Sequence, residues 1–174
     1  MNLLSESIRS IPDFPKKGIV FRDITTLLKN ADSLKKAVDL FSEKYCNSKI
    51  DKVVCIESRG FIIGSALAVN LGAGFVPVRK KGKLPAEVIA EQYDLEYGTD
   101  SVEIHVDAIR PGERVLLHDD LLATGGTMCA AIKLVGKLQA KIVGVSFLIE
   151  LSFLQGRKRM QEQDVYSLII YDRE

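Results

Sequence analysis

Five short apolar runs, Val53–Ile56, Phe75–Val78, Arg114–His118, Ile142–Ile149 and Val165–Tyr171, constrain this chain more than any other feature. Runs this short with little polar alternation fit strands buried on both faces rather than half-exposed ones. Most of the intervening segments have helical character: small residues from Phe61 to Leu71, Thr127 to about Leu138, and a charged stretch near Arg157 to Glu162. Strands separated by helices close into right-handed βαβ units. The expected fold is therefore α/β, with a mostly parallel central sheet flanked by helices. Upstream, Leu34, Ala37, Val38, Phe41 and Tyr45 recur at helical spacing opposite Lys35, Lys36, Asp39 and Glu43, and Asn30 or Asp32 can cap that helix.

Two segments depart from the alternation. Residues 1–30, broken by Pro12, Pro15 and Gly18, read as a short helix followed by an extended arm. Residues 79–108 are long, polar and poor in helical period, and read as a flexible loop whose later part, Val102, Ile104 and Val106, alternates like a strand. A loop of that length inside a compact domain is usually functional. With 174 residues and no linker or repeat, the expectation is a single domain over 1–174.

Bulk chemistry excludes more than it selects. Lys plus Arg number 24 and Asp plus Glu 23, a net charge of +1, so nothing in the whole-molecule balance calls for nucleic acid or an anionic membrane. Ser5, Glu6, Ser7 and Arg9 interrupt the start before an export signal could form, and a cytoplasmic location is expected. Cys46, Cys55 and Cys129 lie far apart with no CxxC pair, which suits buried or half-buried thiols rather than a disulfide or zinc framework.

The chemistry concentrates after the third apolar run. In Leu116-Leu-His-Asp-Asp-Leu-Leu-Ala-Thr-Gly-Gly-Thr127, a strand delivers Asp119 and Asp120 to the sheet edge, and Ala123 to Thr127 turn the chain into a helix. Gly125 and Gly126 permit close backbone approach, while Thr124 and Thr127 offer hydroxyls. Unpaired N–H groups at the helix start complete a cradle suited to a phosphate monoester. A P-loop is excluded because no lysine follows Gly126, and no dinucleotide fingerprint is present, since Gly72-Ala-Gly74 precedes a strand. Two acids beside a phosphate make sense if they face sugar hydroxyls, Mg²⁺ or a positively charged sugar carbon.

This segment resembles the signature of the type I phosphoribosyltransferases, which bind 5-phosphoribosyl 1-diphosphate (PRPP). The resemblance extends through Ile11-Pro-Asp-Phe-Pro, GIVFRDIT at 18–25, Glu57-Ser-Arg-Gly-Phe, FVPVRKKGKLP at 75–85 and YDLEYG at 93–98. FRDIT, RKKGKLP and LEYG together point to the branch of the family that uses adenine. His118 and Ser58 stand where a valine and an alanine are usual, and neither removes a functional group.

The resemblance implies adenine plus PRPP giving AMP plus diphosphate, with Mg²⁺, through an oxocarbenium-like transition state. It assigns the ribose hydroxyls to Asp119 and Asp120, with Mg²⁺ nearby through substrate or water rather than on a firm protein ligand. The 5′-phosphate falls to Ala123, Thr124, Gly125, Gly126 and Thr127. Arg59, at a turn where relatives often carry a strained or cis peptide, and Arg79, Lys80 and Lys83 are the diphosphate candidates. One of these basic groups is a candidate to cross into a partner subunit's site. Glu96 and Tyr97 are the catalytic candidates on a closing loop, Glu96 as the acid that protonates the adenine ring while N9 attacks. Val20, Phe21 and Arg22 would read and cover the base. The family implies a homodimer that meets neither nucleic acid nor membrane. His118 reads as a hydrogen-bonded core residue, and His105 as able to face solvent. Two readings compete: transfer to another purine base, and a PRPP-sensing regulator without catalysis. The regulator would need a nucleic-acid-binding element that this chain has no spare domain to supply.

Overall fold

The computed structural model describes residues 3–94 and 98–173. In chain order the elements are α1 (Leu3–Glu6), β1 (Arg9–Ile11), β2 (Phe21–Asp23), α2 (Thr25–Leu28), α3 (Ala31–Tyr45), β3 (Lys52–Ile56), α4 (Gly60–Leu71), β4 (Gly74–Lys80), β5 (Val88–Asp94), β6 (Thr99–His105), β7 (Arg114–Leu122), α5 (Gly126–Lys137), β8 (Lys141–Leu151) and β9 (Val165–Tyr171), with a 3₁₀ turn at Gly156–Met160 before β9. One seven-stranded sheet runs β5-β6-β4-β3-β7-β8-β9. Its members from β4 to β9 pair in parallel, as the apolar runs require.

Helices α3 and α4 cover one face of the sheet, where Phe41, Ile63, Leu67 and Leu116 are fully buried or nearly so. Helix α5 covers the other, with Leu117, Met128, Leu134 and Phe147 at its core. Asn30 caps α3 by accepting from the Ser33 N–H at 2.9 Å, which satisfies one of the donors a helix start leaves free. Helix α4 lies tight on β3 because Gly64 has no side chain: a Cβ there would sit 2.1 Å from the Cys55 sulfur. Cys55 is buried and Cys129 half-buried, but Cys46 is exposed, contrary to the sequence expectation.

Two boundaries differ from the sequence reading. Residues 79–108 are not one irregular loop. They contain the antiparallel hairpin β5–β6, which joins the sheet through Arg79↔Glu103 and Lys80↔Val102. Strand β5, VIAEQYD, is polar because it is a sheet edge half-buried on alternate residues, so it lacks the apolar run that marks the inner strands. Strand β7 continues to Leu122 because β8 pairs with it as far as Leu122↔Glu150. Asp119 and Asp120 are thereby held by a strand instead of a loop.

His118 is fully buried against Phe41, 5.1 Å between ring centroids, with Nδ1 2.9 Å from the Ser146 hydroxyl. That hydroxyl donates to the Leu117 carbonyl, so it accepts from the ring, and burial lowers the imidazole pKa to about 3. His118 is a neutral core residue, as expected. His105 is half-buried and its Nε2 is enclosed without a hydrogen-bond partner, so the ring does not simply face solvent.

The small β1–β2 ribbon carries the N-terminal arm. Asp23 anchors it, accepting from Arg9 Nε at 3.0 Å and the Thr25 N–H at 2.9 Å; Arg9 first, then these N–H donors, hold its pKa near 2.

Candidate active site

Chain direction creates the cleft. From β3 the chain moves to β4 on one side, and later returns to place β7 on the other. The loops leaving β3 and β7 therefore diverge, and a crevice opens beyond their carboxyl ends, where ligands of open α/β sheets bind. Two connected cavities occupy it. One, about 310 Å³, is lined by Glu57, Ser58, Arg59, Lys80, Tyr93 and both aspartates, among others; the second, about 220 Å³, runs along Ala123 to Thr127. Arg59, Asp119, Asp120 and Thr127 belong to both walls.

The cradle is a backbone construction. Gly125 takes a positive φ of +81° as N-cap of α5, and residue 126 begins the helix. The 3₁₀ turn presses on the cradle from behind: a Cβ on Gly156 would lie 2.2 Å from the Ala123 carbonyl oxygen, and one on Gly125 would lie 3.0 Å from the Gly156 carbonyl oxygen. Arg157 locks that turn by pairing with the buried Glu150, Nε to Oε1 2.9 Å, and by donating to the Val165 carbonyl at 2.7 Å.

The acids form the cleft floor. Asp120 is 6% exposed, and the Asp119 Oδ1 accepts from the Asp120 N–H at 2.8 Å. Burial pushes both carboxyls above their ordinary pKa, and at Asp119 the neighbouring Asp120 charge adds to that rise. Gly60 is obligatory beneath them, since a Cβ would sit 2.8 Å from Asp119 Oδ1.

Three of the cations are engaged. Arg59 Nε lies 2.8 Å from Asp120 Oδ2, an ion contact without hydrogen-bond alignment, and its guanidinium is 5.2 Å from the Phe21 ring centroid. The Glu57–Ser58 peptide that precedes it is cis. Arg79 donates to Glu57 Oε1 and to the Lys83 carbonyl, both at 2.8 Å, while the Lys80 N–H donates to Glu57 Oε2 at 3.1 Å. Arg79 foremost holds the Glu57 carboxyl below its usual range. Lys80 Nζ reaches Asp100 Oδ2 at 3.1 Å.

Most of the expected residues converge. Asp119, Asp120, Arg59, Lys80 and Ala123 to Thr127 line one crevice. Phe21 approaches it through Arg59. Arg79 is turned onto Glu57, Lys83 is exposed, and neither lines the two cavities. The Arg22 side chain points elsewhere, stacking 3.9 Å from the Tyr171 ring centroid and donating to Ser10, and its backbone lies in β2 opposite Ser10. Val20 is half-buried on the same arm. Glu96 and Tyr97 lie outside the described residues. Sequence reasoning missed Glu57, Tyr93, Asp100 and Gly156. Two of them lie inside quoted motifs, but only pairing across the sheet shows what they touch.

Among the described residues no cluster of three or more His, Cys, Asp or Glu could cage a metal ion, and no helix is long and apolar enough to cross a membrane. Asp119 and Asp120 nonetheless suit a divalent cation carried by substrate, because a nearby cation would offset the burial and mutual repulsion that disfavour two ionised neighbouring carboxylates.

A lysine-free phosphate cradle beside paired aspartates, at the switch point of a parallel sheet, defines a phosphoribosyltransferase. A family model described as a phosphoribosyl transferase domain matches residues 23–171. An adenine phosphoribosyltransferase of Trichlorobacter lovleyi is 57% identical over 169 residues, 97% of this chain and 99% of the relative. The crystal structure of adenine phosphoribosyltransferase from Thermoanaerobacter pseudethanolicus superposes with a TM-score of 0.94 at 50% identity, covering 97% of this chain and 98% of that one. The Saccharomyces cerevisiae enzyme, solved with an imino-altritol bisphosphate and adenine, matches with a TM-score of 0.91 at 42% identity, over 95% and 96% of the two chains. This chain belongs to the adenine phosphoribosyltransferase family.

Proposed function

We propose that the cleft transfers the 5-phosphoribosyl group of PRPP to N9 of adenine, yielding AMP and diphosphate. The observation that carries this reading is that the glycine turn and the two acids line adjoining cavities: one suits a 5′-phosphate, and the other lies where ribose hydroxyls and a cationic anomeric carbon would follow. The adenine bound to the yeast relative supports the choice of base. The N9–C1′ bond forms as the C1′–O bond to diphosphate breaks, and the proton carried by the base nitrogen is finally lost. Asp119 and Asp120 hold the ribose hydroxyls and face the positive charge that develops at C1′. Arg59 and Lys80 receive the diphosphate, and Arg79 orders the wall behind them through Glu57. Mg²⁺, entering with PRPP near the two aspartates, would neutralise leaving-group charge. Glu96, with Tyr97 beside it, is the proposed proton donor to a second ring nitrogen while the N9 proton leaves to solvent, and it takes its proton back once the N9–C1′ bond has formed; the arm from Val20 to Arg22 is the proposed reader of the base edge. A cytoplasmic location fits a reaction on such phosphorylated metabolites.

Initial rates of diphosphate release from PRPP test the base. Adenine is expected to exceed guanine, hypoxanthine and xanthine by at least about a hundredfold, because a site built to pair with one polar edge leaves groups unpaired with another. Reaction with an oxopurine and none with adenine would sink the assignment.

The family's dimer has a candidate surface in α4. Ile62 and Val69, seven residues apart on one helix face, are 44% and 80% exposed, and Phe75 beside them is 38% exposed. We assign this face to a second copy of the chain. Sedimentation equilibrium should return twice 19.3 kDa, and a monomer at micromolar concentration would refute it.

A further inference from the structure

Three cations at the diphosphate end of the cleft already have a carboxylate partner: Arg59 with Asp120, Arg79 with Glu57, and Lys80 with Asp100. The third pair differs from the others in what it joins. Asp100 lies on β6, directly across from Tyr93 in the hairpin register, and Tyr93 Oη donates to the same Asp100 Oδ2 at 3.2 Å. Tyr93 also meets the Thr127 side chain of the cradle. One carboxylate oxygen thus gathers a lysine from the diphosphate wall and a tyrosine that touches the phosphate cradle. The Lys80 side chain is 62% exposed and that of Asp100 27%, so the lysine can leave while the acid stays fixed by Tyr93.

We propose that Asp100 is a positioning residue that competes with diphosphate for Lys80, so that the leaving group binds by partner exchange. This rests on the transferase reading above, and specifically on Lys80 as a diphosphate contact. The exchange has a directional consequence. Binding must break the Lys80–Asp100 contact, so Asp100 weakens retention of diphosphate after transfer. An exposed ion pair of this kind is worth a few tenths to one kcal/mol. Its removal should tighten diphosphate by about two- to fivefold, by the usual relation of free energy to affinity.

Calorimetric titration of the full chain with magnesium diphosphate tests this. Asp100→Asn, which preserves size and the acceptor for Tyr93, is expected to lower the diphosphate Kd by that factor. A merely structural residue would weaken binding when replaced, not strengthen it. Lys80→Met should raise the Kd, and Asp100→Asn should add nothing in that background. An unchanged or weaker affinity for Asp100→Asn alone would overturn the proposal while leaving the Lys80 assignment intact. Equal tightening in the Lys80→Met background would overturn it too, by showing that Asp100 acts without Lys80. If Lys80→Met leaves the Kd unchanged, both the Lys80 contact and the proposal fall, whereas adenine-dependent release of diphosphate would still stand as evidence for the transferase.

Discussion

Gly156→Ala is expected to lower kcat/KM for PRPP by about a hundredfold, with weakened AMP binding and a chain that still folds. The cause is a backbone-to-backbone approach. The new Cβ would meet the Ala123 carbonyl oxygen at 2.2 Å, Leu122 Cδ1 at 2.9 Å and the Thr124 carbonyl carbon at 3.0 Å. Leu122 can rotate away, but the carbonyls can yield only if the cradle moves. A displacement near 1 Å at a positioned group costs about two orders of magnitude in rate. Gly136→Ala is the matched control, since a Cβ there meets nothing within 4 Å and the residue lies in the last turn of α5. That variant should keep full activity and lose no stability, with a gain of up to about 1 kcal/mol from the stiffer unfolded chain. AMP affinity measured by titration decides the matter: wild-type binding by Gly156→Ala would show that the 3₁₀ turn does not support the phosphate site.

Asp119→Asn is expected to move activity and stability in opposite directions. Turnover should fall by about two to three orders of magnitude, the usual cost of removing one preorganised group that faces transition-state charge. Melting temperature at pH 7 should rise. Burial first, and then the Asp120 charge, raise the Asp119 pKa well above its ordinary 3.8 in the folded protein. A carboxyl with a raised folded pKa contributes its full stability below the unfolded value. That contribution is lost as pH climbs through the folded value. The wild type should therefore gain stability on acidification from pH 7 toward pH 5, and the gap to Asp119→Asn should narrow over the same range. Asp23 acts with the opposite sign, since its pKa is depressed to about 2. Its contribution is present above about pH 4 and disappears as pH falls toward 2, so it does not mask the effect. Thermal melts at several pH values check this, and a lower melting temperature for Asp119→Asn at pH 7 would show that the diacid is not a site of stored repulsion.

Much of the molecule was legible in one dimension. Inner strands β3, β4, β7 and β8 announced themselves because burial in the sheet demands apolar runs, edge strand β9 because its run is apolar although mostly half-buried, and α3 because one face must be apolar and the other wet. The cradle was legible because consecutive residues build it. Less could be read of β5, whose edge position admits Glu91 and Gln92 and hides the strand among polar residues. The basic segment 79–83 read as a group of diphosphate ligands, yet its members diverge: Arg79 turns to Glu57, Lys80 to Asp100, and Lys83 to the outside.

The sequence by itself determined the parallel α/β frame, the glycine turn into a helix after β7, the pair of acids ahead of it and the family to which they belong. These are local properties, written in periodicity and in contiguous motifs. Only the tertiary structure decided which carboxylate holds which cation, that Gly156 abuts the glycine turn, and that Tyr93 and Asp100 tie the hairpin to Lys80. Those contacts join residues distant in the chain, and their existence depends on the order of strands in the sheet, which no local pattern encodes.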